Sequence, residues 1–409
     1  MKRTAITIVL CFGIHFFGFS SPSAEPGKTY TLKIVATTGV MIGGKTLTQL
    51  SMPFPDTIGG AIYRGEFSGG VGIFRPGSVI AAPGDTIDGK ILTGIGFLFK
   101  NHGGHIAFSG DFDGGQGVFT PSRLLVKTGD VIAGKTLTAF GNASLNSNGE
   151  VAFRANFEDG QGVFTLNRLI AATGDTIDGM TLMGFDPPVP DANLVMTDSM
   201  TLIKFDTPFP NVNGDVAFLA FFDGGSGIFI SDIFSLAKPV AVTGDTIAGK
   251  VLTGFRKPCL NDHGEMVFLA DFDGGQGVFT ANTMLAATGD VIAAKTMTGF
   301  GDPSLNNNGT VAFRGYYDGG EGIFLSDRLL VGTGEVIDGK TVISVGRPFL
   351  NDNDALTFTA FFSDGSEGVV LAEDPPVIIP TLNTKGMILF SLLLAGSAFW
   401  MMDRKRIRS

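Results

Sequence analysis

The sequence predicts an all-β chain: a seven-bladed β-propeller of four-stranded repeats about 45 residues long, followed by a C-terminal transmembrane helix. Three observations predict it. One pattern recurs seven times, most clearly over Thr288–Gly332. Every copy alternates as strands do. The chain also begins and ends partway through a repeat.

The register is set by two anchors. A T-G-D-like turn places its glycine at Gly39, Gly84, Gly129, Gly174, Gly244, Gly289 and Gly334, spaced by 45 residues except for one interval of 70. An N-x-x-G-x-x-A-F motif begins at Asp56, Asn101, Asn146, Asn211, Asn261, Asn306 and Asn351. Each is followed by a glycine-rich turn and a G-V-F or G-I-F run, as at Gly117-Val118-Phe119.

Within one copy, Val151–Phe157 alternates with period two. Asp159-Gly160 reverses the chain, because glycine tolerates positive φ. Gly162–Thr165 returns, Leu169–Ala172 makes a third strand, and Lys135–Phe140 with the residues up to Asn146 represents the fourth segment. Tyr30–Ala36 copies the strand that follows G-V-F, and the last repeat stops near Leu371, just before that strand is due. The first strand can therefore complete the last blade and leave no open edge.

One repeat is longer. Met180–Asn193 reappears as Met200–Asn213, so residues 186–206 are an inserted duplication. Such insertions can mark a binding face or be neutral slips tolerated in a loop.

Residues 1–24 read as a secretory signal peptide: Lys2 and Arg3, an apolar run, then small residues ending at Ala24. The propeller then spans 25–372, a linker and sorting motif 373–385, an apolar helix 386–402, and a basic tail 403–409 containing Arg404, Lys405 and Arg406, which would stay cytoplasmic. The net charge is −10, and setting aside the leader's two cations and the tail's net +4 leaves −16 on the middle. A domain this acidic is unsuited to nucleic-acid phosphates. Cys11 lies in the leader, so Cys259 has no disulfide partner in the mature chain. It stands where other copies carry Ser144 or Ser304, as a small core residue.

Ile379-Pro380-Thr381-Leu382, then Gly386, the apolar run and the basic cluster resemble the IPTL-CTERM sorting signals, relatives of the PEP-CTERM signals handled by exosortases. The resemblance implies a transient membrane anchor, an exosortase-like transpeptidase as partner, and a surface or released product; a plain single-pass anchor is the alternative. The repeats resemble the bacterial surface proteins named for N-x-x-G-x-x-A-F, which carry varied C-terminal anchors.

Little in the chain reads as catalytic. Asp111 with Asp113, and Asp271 with Asp273, are the candidates for a cation loop, though each precedes a glycine pair that suits a hairpin turn, and no downstream bidentate glutamate follows. His102 and His105 could form a metal pair but have no third ligand nearby. Neither a phosphate loop nor a nucleophile with its base is evident, and no cofactor is expected. The expectation is an exported, non-catalytic binding or structural scaffold, with a glycan or protein as its possible ligand. The alternative is a glycan hydrolase or lyase working at the propeller's central mouth, with Asp191, Asp198 and Asp206 as first candidates.

Overall fold

A computed structural model describes residues 29–56, 60–101, 103–185, 208–231, 237–326 and 328–373. All of its regular structure is strand, arranged as seven antiparallel blades around one axis. The signal-like leader, the sorting motif, the apolar run 386–402, the basic tail and the duplicated residues 186–206 lie outside the described residues.

Blade five shows the common plan. Lys250–Phe255 and Cys259–Leu260 form one interrupted strand, followed outward by Met266–Phe272, Gly275–Phe279 and Met284–Ala287. The interrupted strand is the innermost. Its counterparts in all seven blades line the axis and touch one another around the ring. The segment that begins K-T-L-T therefore builds the hub, and the A-F strand is second.

The last sheet closes the ring as the phase of the repeat predicts. Thr31–Thr37 pairs antiparallel with Glu367–Glu373, with Leu32 opposite Ala372 and Ile34 opposite Val370. Lys33 adds an ion pair to Glu373 at 2.5 Å. Pairing both termini in one blade removes the free edge that an open array would expose.

The packing repeats with the sequence. The phenylalanine of A-F stacks on that of G-V-F across the second and third strands: Phe153 on Phe164 at 5.9 Å, Phe268 on Phe279 at 6.1 Å, Phe313 on Phe324 at 5.7 Å. Each of these rings is buried, which is worth about 1.5–3 kcal/mol per side chain. The glycine before V-F is a steric requirement. A Cβ at Gly277 would lie 2.8 Å from the Ala286 carbonyl and 2.9 Å from the Phe279 ring.

The T-G-D turn is structural. The Thr288 hydroxyl accepts from the Gln276 amide and donates back to the Gln276 carbonyl. The Gly289 amide donates to the Met297 carbonyl, and the Asp290 carboxylate accepts from the Ala287 amide at 2.7 Å. The hairpin that follows carries a lysine over the aromatic ring ending the second strand: Lys90 over Phe112, Lys135 over Phe157, Lys250 over Phe272, Lys295 over Tyr317, at 4.7–5.0 Å. Blade four has Met180 at that lysine position.

The motif asparagine links the blades. The Asn146 Oδ1 accepts from the amides of Asn148 and Glu150, which closes the N-x-x-G turn. Its Nδ2 donates to the Asn211 carbonyl of the next blade at 2.9 Å. Asn101 donates likewise to the Asn146 carbonyl, Asn261 to Asn306, and Asn306 to Asn351. These side chains are almost fully buried, so each amide is a staple around the axis. Apolar residues could pack at these positions but could not fasten one blade to the next.

Candidate binding site at the axial mouth

The innermost strand carries one extra residue relative to its neighbour. Phe255 pairs with Ala270 and Cys259 with Val267, so Arg256, Lys257 and Pro258 face two residues of the second strand. This bulge recurs. Its middle residue is Met52, Phe97, Asn142, Lys257, Asp302 and Arg347 in blades one, two, three, five, six and seven. The surrounding repeat is nearly constant, yet this position differs in every blade. In blade four Phe185 and Phe209 hold the places of Phe255 and Cys259. The duplication is thus spliced into the hub at the same bulge, its first copy supplying Met180–Gly184 and its second Phe209–Pro210.

Below the bulge the axis is closed by successive layers. Phe54, Phe99, Phe209 and Phe349 come from different blades and meet there, with ring centroids 4.3 Å apart for Phe54–Phe349 and 5.7 Å for Phe99–Phe209. The asparagine ring follows. Beyond it Asp262 joins the blades. It accepts from the Ser147 hydroxyl, the Val212 amide and the Asn307 side chain, while Asn307 in turn donates to Asp352. A cavity of only about 60 Å³ remains along the axis, from Phe97, Lys257 and Arg347 at one end to Asn101, Asp262 and Asn307 at the other. The bulge end of this cavity, lined by Phe97, Lys257 and Arg347, forms the axial cup.

The charged residues of the cup interact across blades. The Lys257 ammonium lies 3.6 Å from Asp302, and the Arg347 guanidinium 3.8 Å from the same carboxylate. Arg347 also donates to the Pro303 carbonyl at 2.7 Å. Lys257 sits 5.7 Å from the centre of the Phe97 ring, which belongs to blade two. Burial would raise the Asp302 pKa, but Lys257, Arg347 and Arg256 together outweigh it and hold the carboxyl below its ordinary value. Cys259, just beneath, donates to the Pro303 carbonyl at 3.2 Å, and burial pushes its thiol up, away from the reactive thiolate. Lys100 is buried near the axis, and that burial lowers its pKa. Ammonium and guanidinium groups at the mouth can bind acceptor groups.

The residues singled out for cation binding occupy other places. Asp111 accepts from the Gln116 side chain at 2.8 Å and Asp271 from Gln276 at 2.7 Å. Gln116 also accepts from the Phe140 amide of the following blade, so this aspartate–glutamine pair braces neighbouring sheets. Asp113 and Asp273 are exposed at the tips of turns in blades two and five, and are not brought together with Asp111 and Asp271. Among the described residues no group of three or more His, Cys, Asp or Glu side chains could hold a metal. The His105 ring bonds to Asn101 within its own turn, and His102 is outside the described residues. Asp191, Asp198, Asp206 and the sorting-motif residues also lie outside them. The bulge residues were not singled out from sequence; the available signal was their divergence within a constant frame.

No protein-family model matches the chain, and no curated protein does. Among solved structures, virginiamycin B lyase from Staphylococcus aureus bound to quinupristin is 8% identical, with 83% of this chain and 99% of that one covered and a TM-score of 0.39. A streptogramin B lyase is 9% identical over 84% of this chain and 98% of that one, with a TM-score of 0.43. A puromycin-hydrolysing peptidase from Mycobacterium tuberculosis is 12% identical over 85% and 55%, with a TM-score of 0.47. At such identities and TM-scores the likeness assigns no activity.

Proposed function

We propose that the chain is an exported bacterial protein, sorted to the cell surface by its C-terminal signal, whose propeller is a non-catalytic scaffold that binds a ligand at the axial cup. The supporting observation is the division of labour in the repeat. The recurring Thr, Asp, Asn, Gln and Lys side chains are each occupied in holding turns or blades together. The bulge position is the exception: it differs among the six blades in which it is described, and Phe97, Lys257 and Arg347 from three of them line the axial cavity.

Sorting rests on the sequence features at 1–24 and 379–409, with an exosortase-like transpeptidase as the partner they imply. Fractionation of cells making the full chain or a chain ending at 378 tests it. The full chain is expected at the surface or in the medium and the truncated chain elsewhere. Identical distribution of the two would refute sorting. Binding is tested by applying the purified full-length protein to glycans and envelope proteins, with Phe97→Ser as the mouth variant. Binding that Phe97→Ser leaves intact would place the site off the cup.

A further inference from the structure

We infer that blade one is a gate: it leaves the closed ring before any other blade and opens the axial core from the side.

Blade one consists of Gln49–Asp56, Gly60–Phe67, Gly70–Arg75 and Ser78–Ala81. Its fastenings are thin on both sides. Among the described residues the asparagine staples join blades two to three, three to four, five to six and six to seven, and none reaches or leaves blade one. Blades four and five have a substitute, since Asp262 accepts from the Val212 amide at 3.1 Å. Blade one carries Asp56 at the motif position, and a carboxylate has no proton to donate. Asp56 pairs instead with Arg75 of its own blade, at 3.6 Å. The Asn101 carbonyl, the counterpart of the carbonyls that receive staples, is met at 3.3 Å by its neighbour Lys100. That bond ties nothing across the seam.

The seam with blade seven has a different weakness. The Glu367 carboxylate accepts from the Leu50 amide at 2.7 Å, and the Thr357 hydroxyl donates to the Pro53 carbonyl at 2.6 Å. Gln116 and Gln161 make the Glu367 contact between other blades as neutral side chains. Glu321 makes it as an anion balanced by Arg314. Glu367 faces Glu66 instead, and burial together with that carboxylate raises its pKa. Its charge therefore works against the strap it forms.

The interior of blade one is strained as well. Tyr63 stands where the other blades have Phe108, Phe153, Phe218, Phe268, Phe313 and Phe358. Its hydroxyl is buried without a hydrogen-bond partner, which opposes folding. Met52, at φ 51°, is the only one of the six bulge residues with positive φ. Local opening starts where contacts are fewest and least satisfied. In this ring the opening reaches the axis. The Phe54 ring lies 4.3 Å from Phe349 and 5.6 Å from Phe99, so its departure uncovers the aromatic layer and the cavity that Cys259 also lines.

Native-state hydrogen exchange of the full-length protein in detergent, read by mass spectrometry, tests the gate. Amides of Gly60–Phe67 and Gly70–Arg75 are expected to exchange roughly tenfold or more faster than their counterparts in the other blades. The double variant Tyr63→Phe with Glu367→Gln removes the orphan hydroxyl and the charge while keeping an acceptor for Leu50. It should slow exchange in blade one by roughly the same factor and leave blades three to six unchanged. Maleimide labelling of the Cys259 thiol, located by peptide mapping, should slow in parallel. Thermal melts confirm that both proteins are folded. Even exchange across the ring, or faster exchange in another blade, would overturn the inference. So would a folded double variant whose blade one exchanges as in wild type. Slowed exchange with unaltered Cys259 labelling would also overturn it, because the loose blade would then not open the axis.

Discussion

Replacing Ala294 with glycine should stabilise the protein. Each blade begins with a two-residue hairpin turn whose central residues both have positive φ. The pairs are Gly43–Gly44 (56° and 76°), Asp88–Gly89 (46° and 72°), Ala133–Gly134 (50° and 76°), Asp178–Gly179 (49° and 81°), Ala248–Gly249 (50° and 74°) and Asp338–Gly339 (47° and 81°). Blade six alone reads Ala293–Ala294, at 50° and 61°. An L-residue in this region is about 1–2 kcal/mol less favourable than in the right-handed region. Glycine removes that strain but adds about 0.4–1 kcal/mol of unfolded-chain entropy. Ala294 is exposed, so its methyl contributes little packing. The net gain is about 0.5–1 kcal/mol. The reverse change, Gly249→Ala, isolates the same term: a Cβ there meets nothing within 4 Å, so only φ is penalised. It should lose about 1 kcal/mol. Urea unfolding monitored by circular dichroism measures both, and the midpoints should move in opposite directions. If Ala294→Gly lowers the midpoint, or Gly249→Ala leaves it unchanged, the assignment of strain to this turn is wrong.

Asn306→Ala should lose about 2–4 kcal/mol, because it removes donors to the Asn351 carbonyl and Asp354 and the acceptor for the Asn308 and Thr310 amides inside a buried ring. Asn306→Asp keeps only the acceptor and faces Asp354, so urea titration should show at least as large a loss. Lys250→Met should lose about 0.5–1 kcal/mol with the ring of Phe272 left uncovered, and a loss that salt abolishes would mark a different electrostatic origin. Asp302 has a folded pKa below its ordinary 3.8, so its stabilisation is present above that value and fades as pH falls through the lowered one. The stability difference between wild type and Asp302→Asn should therefore be constant from pH 7 to about 5 and shrink below 3.8.

The ring, its closure and its four-strand blades were legible because each follows from periodicity. Val151–Phe157 can only be a strand with one buried face, and Tyr30–Ala36 can only be the strand that the last repeat lacks. The innermost strand was harder to read. Phe255-Arg256-Lys257-Pro258-Cys259 breaks its alternation at the bulge and passes for a loop. The N-x-x-G asparagine was recognisable from sequence as an anchor of the repeat. Its amide points along the circumference to a carbonyl 45 residues away, as from Asn261 to Asn306, and such a bond leaves no local trace. The lysine–aromatic contact was hidden similarly, since Lys250 and Phe272 are brought together only by pairing of the first and second strands. Repetition also concealed the cup, because a search for recurring residues passes over the position that never recurs.

That position can diverge because of where the ring places it. At the rim, equivalent residues of neighbouring blades are far apart, so seven copies act separately. At the axis they share one space, and Lys257 of blade five reaches Phe97 of blade two. Six different side chains can then make one asymmetric site on a symmetric frame. Apart from Asp302, whose ion pairs with Lys257 and Arg347 add stability, the bulge residues take no part in the contacts that recur from blade to blade. The asparagine ring, the stacked phenylalanines and the hairpin lysines fasten the blades without them. A change at Lys257 or Phe97 should therefore alter what the cup binds far more than whether the propeller folds. The opposite holds at Asn306 or Phe313, where one substitution removes a staple or a core ring and leaves the chemistry of the mouth unchanged.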